Sequence, residues 1–124
     1  MIDNKIYIEK GKGEPIILLH GLFGALSNWK TVVNEFSKTH RVIIPKIPLT
    51  EVDVKKANLE SLTDYVRKFI NKQKLKNFIL IGNSLGGHIA LIYSILYPKK
   101  VKKLILTGSS GLYENSFGGT FPKR

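Results

Sequence analysis

The segment Phe78–Gly87 constrains the fold of this chain more than any other part of its 124 residues. Its four consecutive apolar residues, Phe78–Ile81, predict a strand that is buried on both faces. The sequence Gly-Asn-Ser-Leu-Gly-Gly follows at positions 82–87, and a nearly all-apolar helix is predicted from Gly86 until Pro98 ends it. A buried strand that passes directly into a buried helix is typical of an α/β protein with a mostly parallel sheet and helices on both faces.

Further strands and helices alternate along the chain. An apolar run at Ile16–Leu19 and mainly apolar segments at Arg41–Ile44 and Val101–Leu106 predict three more buried strands. Alternation at Lys5–Glu9 predicts an outer antiparallel strand. Apolar residues at helical spacing predict a helix that carries the single tryptophan at position 29, and a second helix behind a capping box at Ser61–Asp64. We expect one incomplete domain over residues 1–124, with core elements to about 107 and with 108–124 as an irregular tail or the start of a cap.

Composition and charge limit the classes of function. The absence of cysteine excludes disulfide bonds, thiolate metal sites and a cysteine nucleophile. No apolar run follows a basic start at the N-terminus, and the longest apolar stretch, Ile89–Tyr97, is too short to span a bilayer, so we expect a cytoplasmic protein. The net charge of +11 comes from scattered lysines without interleaved aromatic residues. We therefore expect neither a nucleic-acid partner nor a membrane partner.

Ser84 stands where the sequence indicates chemistry. Gly-x-Ser-x-Gly is common by itself, but between a buried strand and a buried helix it predicts a sharp turn that holds Ser84 above the carboxyl edge of the sheet. Gly82 and Gly86 must then lack side chains so that strand and helix can approach closely. The turn also places Ser84 at the positive end of the helix. These features predict a serine nucleophile, and the alternative is an ordinary glycine-rich turn.

A second motif, Leu-Leu-His-Gly-Leu-Phe-Gly at positions 18–24, follows the predicted strand Ile16–Leu19. Its loop is therefore expected at the same edge of the sheet as Ser84. Acyl transfer needs two amide N–H donors aimed at the developing oxyanion. We expect one from Leu85 and the other from Leu22, with Phe23 as the second choice. Alone, the motif would also fit a plain strand-to-helix turn.

The strand followed by His-Gly, the tryptophan-bearing helix and the Gly-Asn-Ser-Leu-Gly-Gly turn together resemble the N-terminal portion of the α/β-hydrolase superfamily. The resemblance extends to about Leu112 and implies a Ser–His–Asp/Glu triad in the order nucleophile, acid, histidine. The family's histidine lies near the C-terminus, so the acid and the base are expected outside this sequence. His20, His40 and His88 are expected to be structural, and Glu114 is only a distant candidate for the acid.

Three functions remain open at this point. The first is hydrolysis of an ester, thioester or amide bond in a small molecule, without a cofactor or a metal. The second is hydrolysis of carbon–carbon bonds in ring-fission products, because the turn at 82–87 also resembles hydrolases of that kind. The third is a non-catalytic, hydrolase-like fragment or ligand binder. A serine at the nucleophile position disfavours dehalogenases and epoxide hydrolases, which use aspartate. A histidine downstream in the parent reading frame would favour catalysis.

Overall fold

The computed structural model describes residues 1–21, 30–48 and 58–108. The strands in these ranges are β1 (Ile2–Asp3), β2 (Tyr7–Lys10), β3 (Pro15–Leu19), β4 (Arg41–Pro45), β5 (Phe78–Asn83) and β6 (Val101–Thr107). The helices there are α1 (Lys30–Phe36), α2 (Leu59–Lys72) and α3 (Leu85–Leu96). None of these helices is long and apolar enough to cross a membrane.

The strands form one six-stranded sheet in the order β1-β2-β4-β3-β5-β6. In this order the four strands from β4 to β6 are parallel to one another. At one edge β2 pairs antiparallel with β4, and β1 pairs antiparallel with β2. This mostly parallel sheet confirms the α/β architecture. The outer antiparallel strand also forms, at Tyr7–Lys10 instead of Lys5–Glu9, and it pairs with β4. The sequence missed β1, because two residues are too few to show a period.

Both faces of the sheet are covered, and alternate residues of β3 point to opposite faces. Ile17 and Leu19 belong to a core cluster on the face of α2 and α3, whereas Ile16 and Leu18 pack with Val33 of α1 on the other face. This arrangement explains why the central strands are continuously apolar, since a parallel strand between two layers of helices has no solvent-exposed side.

The capping box expected at Ser61–Asp64 is wrong, because α2 begins earlier. Asn58 is the N-cap, and its side-chain oxygen accepts a hydrogen bond from the Ser61 backbone N–H at 3.1 Å. Ser61 therefore lies within the first turn of the helix. The earlier start has a physical reason, since asparagine caps as well as serine and the added residue Leu59 packs against the core cluster.

The strand β6 is less buried than the sequence analysis expects, since none of its residues is fully buried. It pairs only with β5 in the described sheet, and Ile105 is 44% exposed. The β5–β6 register also shifts where Phe78 pairs with Val101 but Ile79 pairs with Lys103. The shift leaves Lys102 outside the regular pairing, and its Nζ bonds Glu14 at 2.6 Å. The strand ends at Thr107. The expected tail or cap stays a prediction, because residues 109–124 lie outside the described residues.

Candidate active site

The site lies at the carboxyl ends of β3 and β5, where successive connections diverge. After β3 the chain continues to α1 on one face of the sheet, and after β5 it enters α3 on the other face. Neighbouring strands whose connections leave in opposite directions open a crevice at their carboxyl ends, and α/β proteins bind ligands there. Leu19 pairs with Gly82 at this point. The residues that follow, His20-Gly21 and Asn83-Ser84, therefore border the same crevice.

Ser84 forms a sharp turn between β5 and α3. Its φ is 56° and its ψ is −127°, a conformation that side-chain-bearing residues rarely adopt. Its carbonyl oxygen accepts hydrogen bonds from the backbone N–H groups of Gly87 and His88, at 2.9 and 3.3 Å. The residue is exposed, and its hydroxyl forms no capping hydrogen bond with the helix. The turn therefore presents a hydroxyl that the helix does not use.

Three glycines allow the backbone to close around this turn. A Cβ on Gly82 would lie 2.6 Å from the Gly86 carbonyl oxygen, and a Cβ on Gly86 would overlap the Leu19 carbonyl. The expectation that both positions must lack side chains is thus confirmed. The sequence did not single out Gly21, although a Cβ there would lie 3.0 Å from the Ser84 Cβ and 3.2 Å from its Oγ. The His-Gly pair directly after the strand is the sequence feature that could have indicated the role of Gly21.

The backbone N–H of Leu85, which the sequence predicts as an oxyanion donor, lies close to Gly21 and Ser84. Its backbone nitrogen lies 3.5 Å from the place that a Cβ on Gly21 would occupy. It is also the first residue of α3, where backbone N–H groups have no partner within the helix. Ser84, the Leu85 N–H and Gly21 therefore adjoin one small space. The other expected site residues, Leu22 and Phe23, lie outside the described residues, as do Trp29 and Glu114.

His20 is buried beside this space and is hydrogen bonded through both ring nitrogens. The Ile47 backbone N–H donates to Nε2 at 3.2 Å, so that nitrogen is an acceptor. The ring then carries its proton on Nδ1 and donates it to the Gly21 carbonyl oxygen at 2.6 Å. The ring therefore joins the loop after β3 to the segment after β4, which is the structural role expected for it.

The other two histidines occupy different places. His40 precedes β4 at the amino edge of the sheet, and its Nδ1 lies 2.8 Å from the Thr39 hydroxyl. His88 is half-buried in the first turn of α3. Across residues 1–21, 30–48 and 58–108, no three His, Asp or Glu side chains are grouped in a way that could hold a metal ion.

Groups with shifted pKa values belong to other parts of the fold. The hydrogen bond from Lys102 lowers the pKa of Glu14, the residue before β3. The hydrogen bond from Arg67 likewise lowers the pKa of Asp64, on α2. Burial in the core raises the pKa of Tyr93 to about 12. These shifts reflect surface ion pairs and core packing, and none of them adds an acid or a base to the crevice.

A cavity of about 590 Å³ lies between α2 and α3. Thr63, Asp64 and Arg67 line one side, and Ile92 and Leu96 line the other. Neither Ser84 nor Gly21 borders it. The cavity is therefore separate from the Ser84 turn.

Comparisons with known proteins agree with this geometry. The alpha/beta hydrolase fold family matches residues 14–122. Among curated proteins, the 2-hydroxymuconate semialdehyde hydrolase of Pseudomonas sp. strain CF600 is 32% identical over 111 residues, which are 84% of this chain and 39% of that protein. The chain spans 39 to 40% of the length of the first curated relatives that it matches.

Two solved structures are similar as well. One is an alpha/beta hydrolase enzyme from the metagenome of sediments from the lagoon of Mar Chica, Morocco. It matches with a TM-score of 0.78 and 43% identity, over 92% of this chain and 53% of that one. The other is a marine microorganism esterase, with a TM-score of 0.71 and 34% identity over 81% of this chain and 40% of that one.

Proposed function

Because this chain belongs to the α/β-hydrolase fold family, we propose that it acts as a serine hydrolase with Ser84 as the nucleophile. The observation that carries the proposal is the turn at Ser84, whose φ of 56° exposes a hydroxyl that has no capping role. A strained residue persists only where its surroundings enforce it, and such residues cluster at functional sites. The closely packed glycines Gly82 and Gly86 supply that enforcement.

In this proposal, the Ser84 Oγ attacks the carbonyl carbon of an ester, thioester or amide, and the carbonyl oxygen becomes an oxyanion. The Leu85 N–H donates one hydrogen bond to that oxygen, and the Leu22 N–H donates the other, with Phe23 as the second choice. The positive end of α3 further stabilises the negative charge. Collapse of the tetrahedral intermediate expels the leaving group and leaves an acyl group on Ser84, which water then removes.

A general base is required, because a neutral serine hydroxyl is a weak nucleophile. Both ring nitrogens of His20 are engaged with the backbone, and His40 lies at the opposite edge of the sheet. His88 follows Ser84 by only four residues, in the first turn of α3, which leaves no carboxylate between them for the family order of nucleophile, acid, histidine. We therefore assign the triad histidine and its carboxylate partner to polypeptide beyond the described residues. The histidine would take the Ser84 proton and later return it to the leaving group.

The proposed substrate is a small molecule that reaches the crevice between β3 and β5. The similarity to an esterase supports an ester. The second candidate is carbon–carbon bond hydrolysis of a ring-fission product, which the similarity to a 2-hydroxymuconate semialdehyde hydrolase supports. We place the protein in the cytoplasm, in keeping with its cysteine-free composition. Fractionation of the native cells would test that location.

We expect a fluorophosphonate probe to label the protein, as the cell makes it, at Ser84. Ser84→Ala should abolish both labelling and hydrolysis of 4-nitrophenyl acetate, because the attacking hydroxyl is gone. Ser94→Ala is the matched control, since the Ser94 hydroxyl bonds the Ala90 carbonyl oxygen at 2.8 Å within the same helix. Mass spectrometry of the labelled peptide reads the result. Labelling that persists in Ser84→Ala would assign the nucleophile elsewhere.

Turnover of two substrates, measured on the same protein, distinguishes the ester hydrolase from the remaining alternatives. Ser84-dependent turnover of 4-nitrophenyl acetate that exceeds turnover of 2-hydroxymuconate semialdehyde supports the ester hydrolase. The reverse order supports the carbon–carbon hydrolase. Complete absence of labelling and of turnover in the wild type supports a non-catalytic ligand binder.

A further inference from the structure

We propose that Thr107 is a positioning residue for Ser84, which it restrains through the backbone of Ser84 and the side chain of Asn83. The inference rests on the proposed function, because it concerns how the nucleophile is held. Thr107 is the last residue of β6, and it pairs with Asn83 at the end of β5 in parallel register. It is therefore the residue of the neighbouring strand that lies beside the turn.

Thr107 contacts the turn through two different groups. Its carbonyl oxygen accepts the Ser84 backbone N–H at 3.3 Å. Its hydroxyl donates to the Asn83 side-chain oxygen at 3.1 Å. One residue thus binds both the nucleophile position and the residue before it. The first contact is available to any residue at this place, but the second requires a hydroxyl.

The two ends of Ser84 are restrained by different elements. On its carboxyl side, α3 holds the Ser84 carbonyl through the N–H groups of Gly87 and His88. On its amino side, the Ser84 N–H bonds Thr107. A turn with a φ of 56° needs both restraints, because either peptide unit could otherwise rotate toward a relaxed conformation. Thr107 therefore restrains the amino side of Ser84, as the N-terminus of α3 restrains its carboxyl side.

The hydrogen bond between Asn83 and Thr107 lies outside the hydrophobic core, so its role differs from core packing. Thr107 is exposed and Asn83 is half-buried, so neither side chain fills the hydrophobic core. Gly108 follows with a φ of 54°, and a Cβ there would lie 3.4 Å from the Asn83 side-chain oxygen. The chain thus turns directly beside the Asn83 amide. Loss of the Thr107 hydroxyl should affect the turn and leave the core unchanged.

The test compares Thr107→Val, which replaces the hydroxyl with a methyl group, and Thr107→Ser, which keeps the hydroxyl. The readouts are the rate constant for fluorophosphonate labelling of Ser84 and the melting temperature, both measured on the protein as the cell makes it. Thr107→Val should slow labelling roughly three- to ten-fold, the factor that one net hydrogen bond corresponds to. Thr107→Ser should label at the wild-type rate and melt at the wild-type temperature. The melting temperature of Thr107→Val should fall by no more than the few degrees that correspond to one lost hydrogen bond.

Two further variants keep the result interpretable. Thr107→Ala removes the hydroxyl without introducing a branched apolar group, and it should slow labelling as much as Thr107→Val. In an Asn83→Ala background, Thr107→Val should change the rate by less than about two-fold, because residues that act through one contact are not additive.

Each outcome decides between the roles. Wild-type labelling rates in Thr107→Val or Thr107→Ala overturn the positioning role, and so does a Thr107→Ser variant that is as slow as Thr107→Val. Fully additive effects of the Asn83 and Thr107 changes overturn it as well. A wild-type protein that is never labelled at Ser84 refutes the proposed function instead, so the two failures are distinguishable.

Discussion

At the scale of single residues, backbone crowding around Ser84 decides which side chains are tolerated. The Gly82 and Gly86 positions face backbone atoms of the neighbouring segment, which cannot move aside as the end of a flexible side chain can. The Gly21 position instead faces the Ser84 side chain itself. The same residue type therefore has two roles in this site. Gly82 and Gly86 let strand and helix pack closely, whereas Gly21 leaves space beside the hydroxyl.

We expect Gly86→Ala to destabilise the protein by about 3 kcal/mol or more, at or above the upper end of the usual range for overpacking, because the added methyl group would overlap the Leu19 carbonyl. Chemical denaturation monitored by circular dichroism measures the change. Ile95→Ala is the control, since Ile95 lies in the same helix and is 70% exposed. It should change the free energy of unfolding by no more than about 0.5 kcal/mol. Equal stability of the two variants would contradict the packing described for Gly86.

At the scale of elements, packing decides which of two possible N-cap residues begins α2. Ser61 and Asn58 are both acceptable N-caps by residue type. A start at Asn58 adds Leu59 to the helix, and Leu59 packs against the core cluster. Burial of a leucine contributes more than the difference between two good caps, so the helix begins at the earlier residue.

Asn58→Ala should therefore destabilise the protein by about 1 kcal/mol, the usual contribution of an N-cap side chain. Ser61→Ala, which keeps the backbone N–H that Asn58 binds, should leave the free energy of unfolding almost unchanged. Thermal unfolding of the two variants side by side provides the measurement. A larger loss for Ser61→Ala than for Asn58→Ala would restore the capping box that the sequence pattern indicated.

At the scale of the whole molecule, β6 leaves one edge of the described sheet without a partner strand. Unpaired edges promote association between chains, and the exposed lysines Lys102 and Lys103 on this strand oppose it by charge repulsion. Ile105 is exposed on the same strand and favours association. The proposed function also assigns the base that serves Ser84 to polypeptide beyond the described residues.

The 124-residue chain, expressed by itself, should self-associate and should lack Ser84-dependent esterase activity. The proposed function places the base and the acid in other polypeptide. Only the contribution of the oxyanion donors and of binding would then remain, roughly 10³–10⁴ over water in enzymes that have lost a triad member. Size-exclusion chromatography and a 4-nitrophenyl acetate assay measure the two properties. Ile105→Lys should reduce the association, because it replaces an exposed apolar side chain of β6 with a positive charge. A monodisperse monomer with turnover that Ser84→Ala abolishes would refute this expectation.

Local patterns were sufficient to predict the central strands and the turn at Ser84. A strand between two layers of helices must be apolar on both faces, so Ile16–Leu19 and Phe78–Ile81 were recognisable without knowledge of their partners. The spacing of Gly82, Ser84 and Gly86 is likewise local, because the turn closes within a few residues. The nucleophile role of Ser84 and the oxyanion role of Leu85 remain predictions that the labelling experiment tests.

Other features depend on residues that are distant in the sequence, and only the tertiary structure decided them. The exposure of β6 depends on which elements flank it. The hydrogen bonds of His20 depend on where the segment after β4 places Ile47. The contact between Asn83 and Thr107 depends on the register of two strands that are joined by a whole helix. A sequence pattern specifies the face and the period of an element. It does not specify which residue of another element lies opposite, because packing of the complete sheet sets that distance.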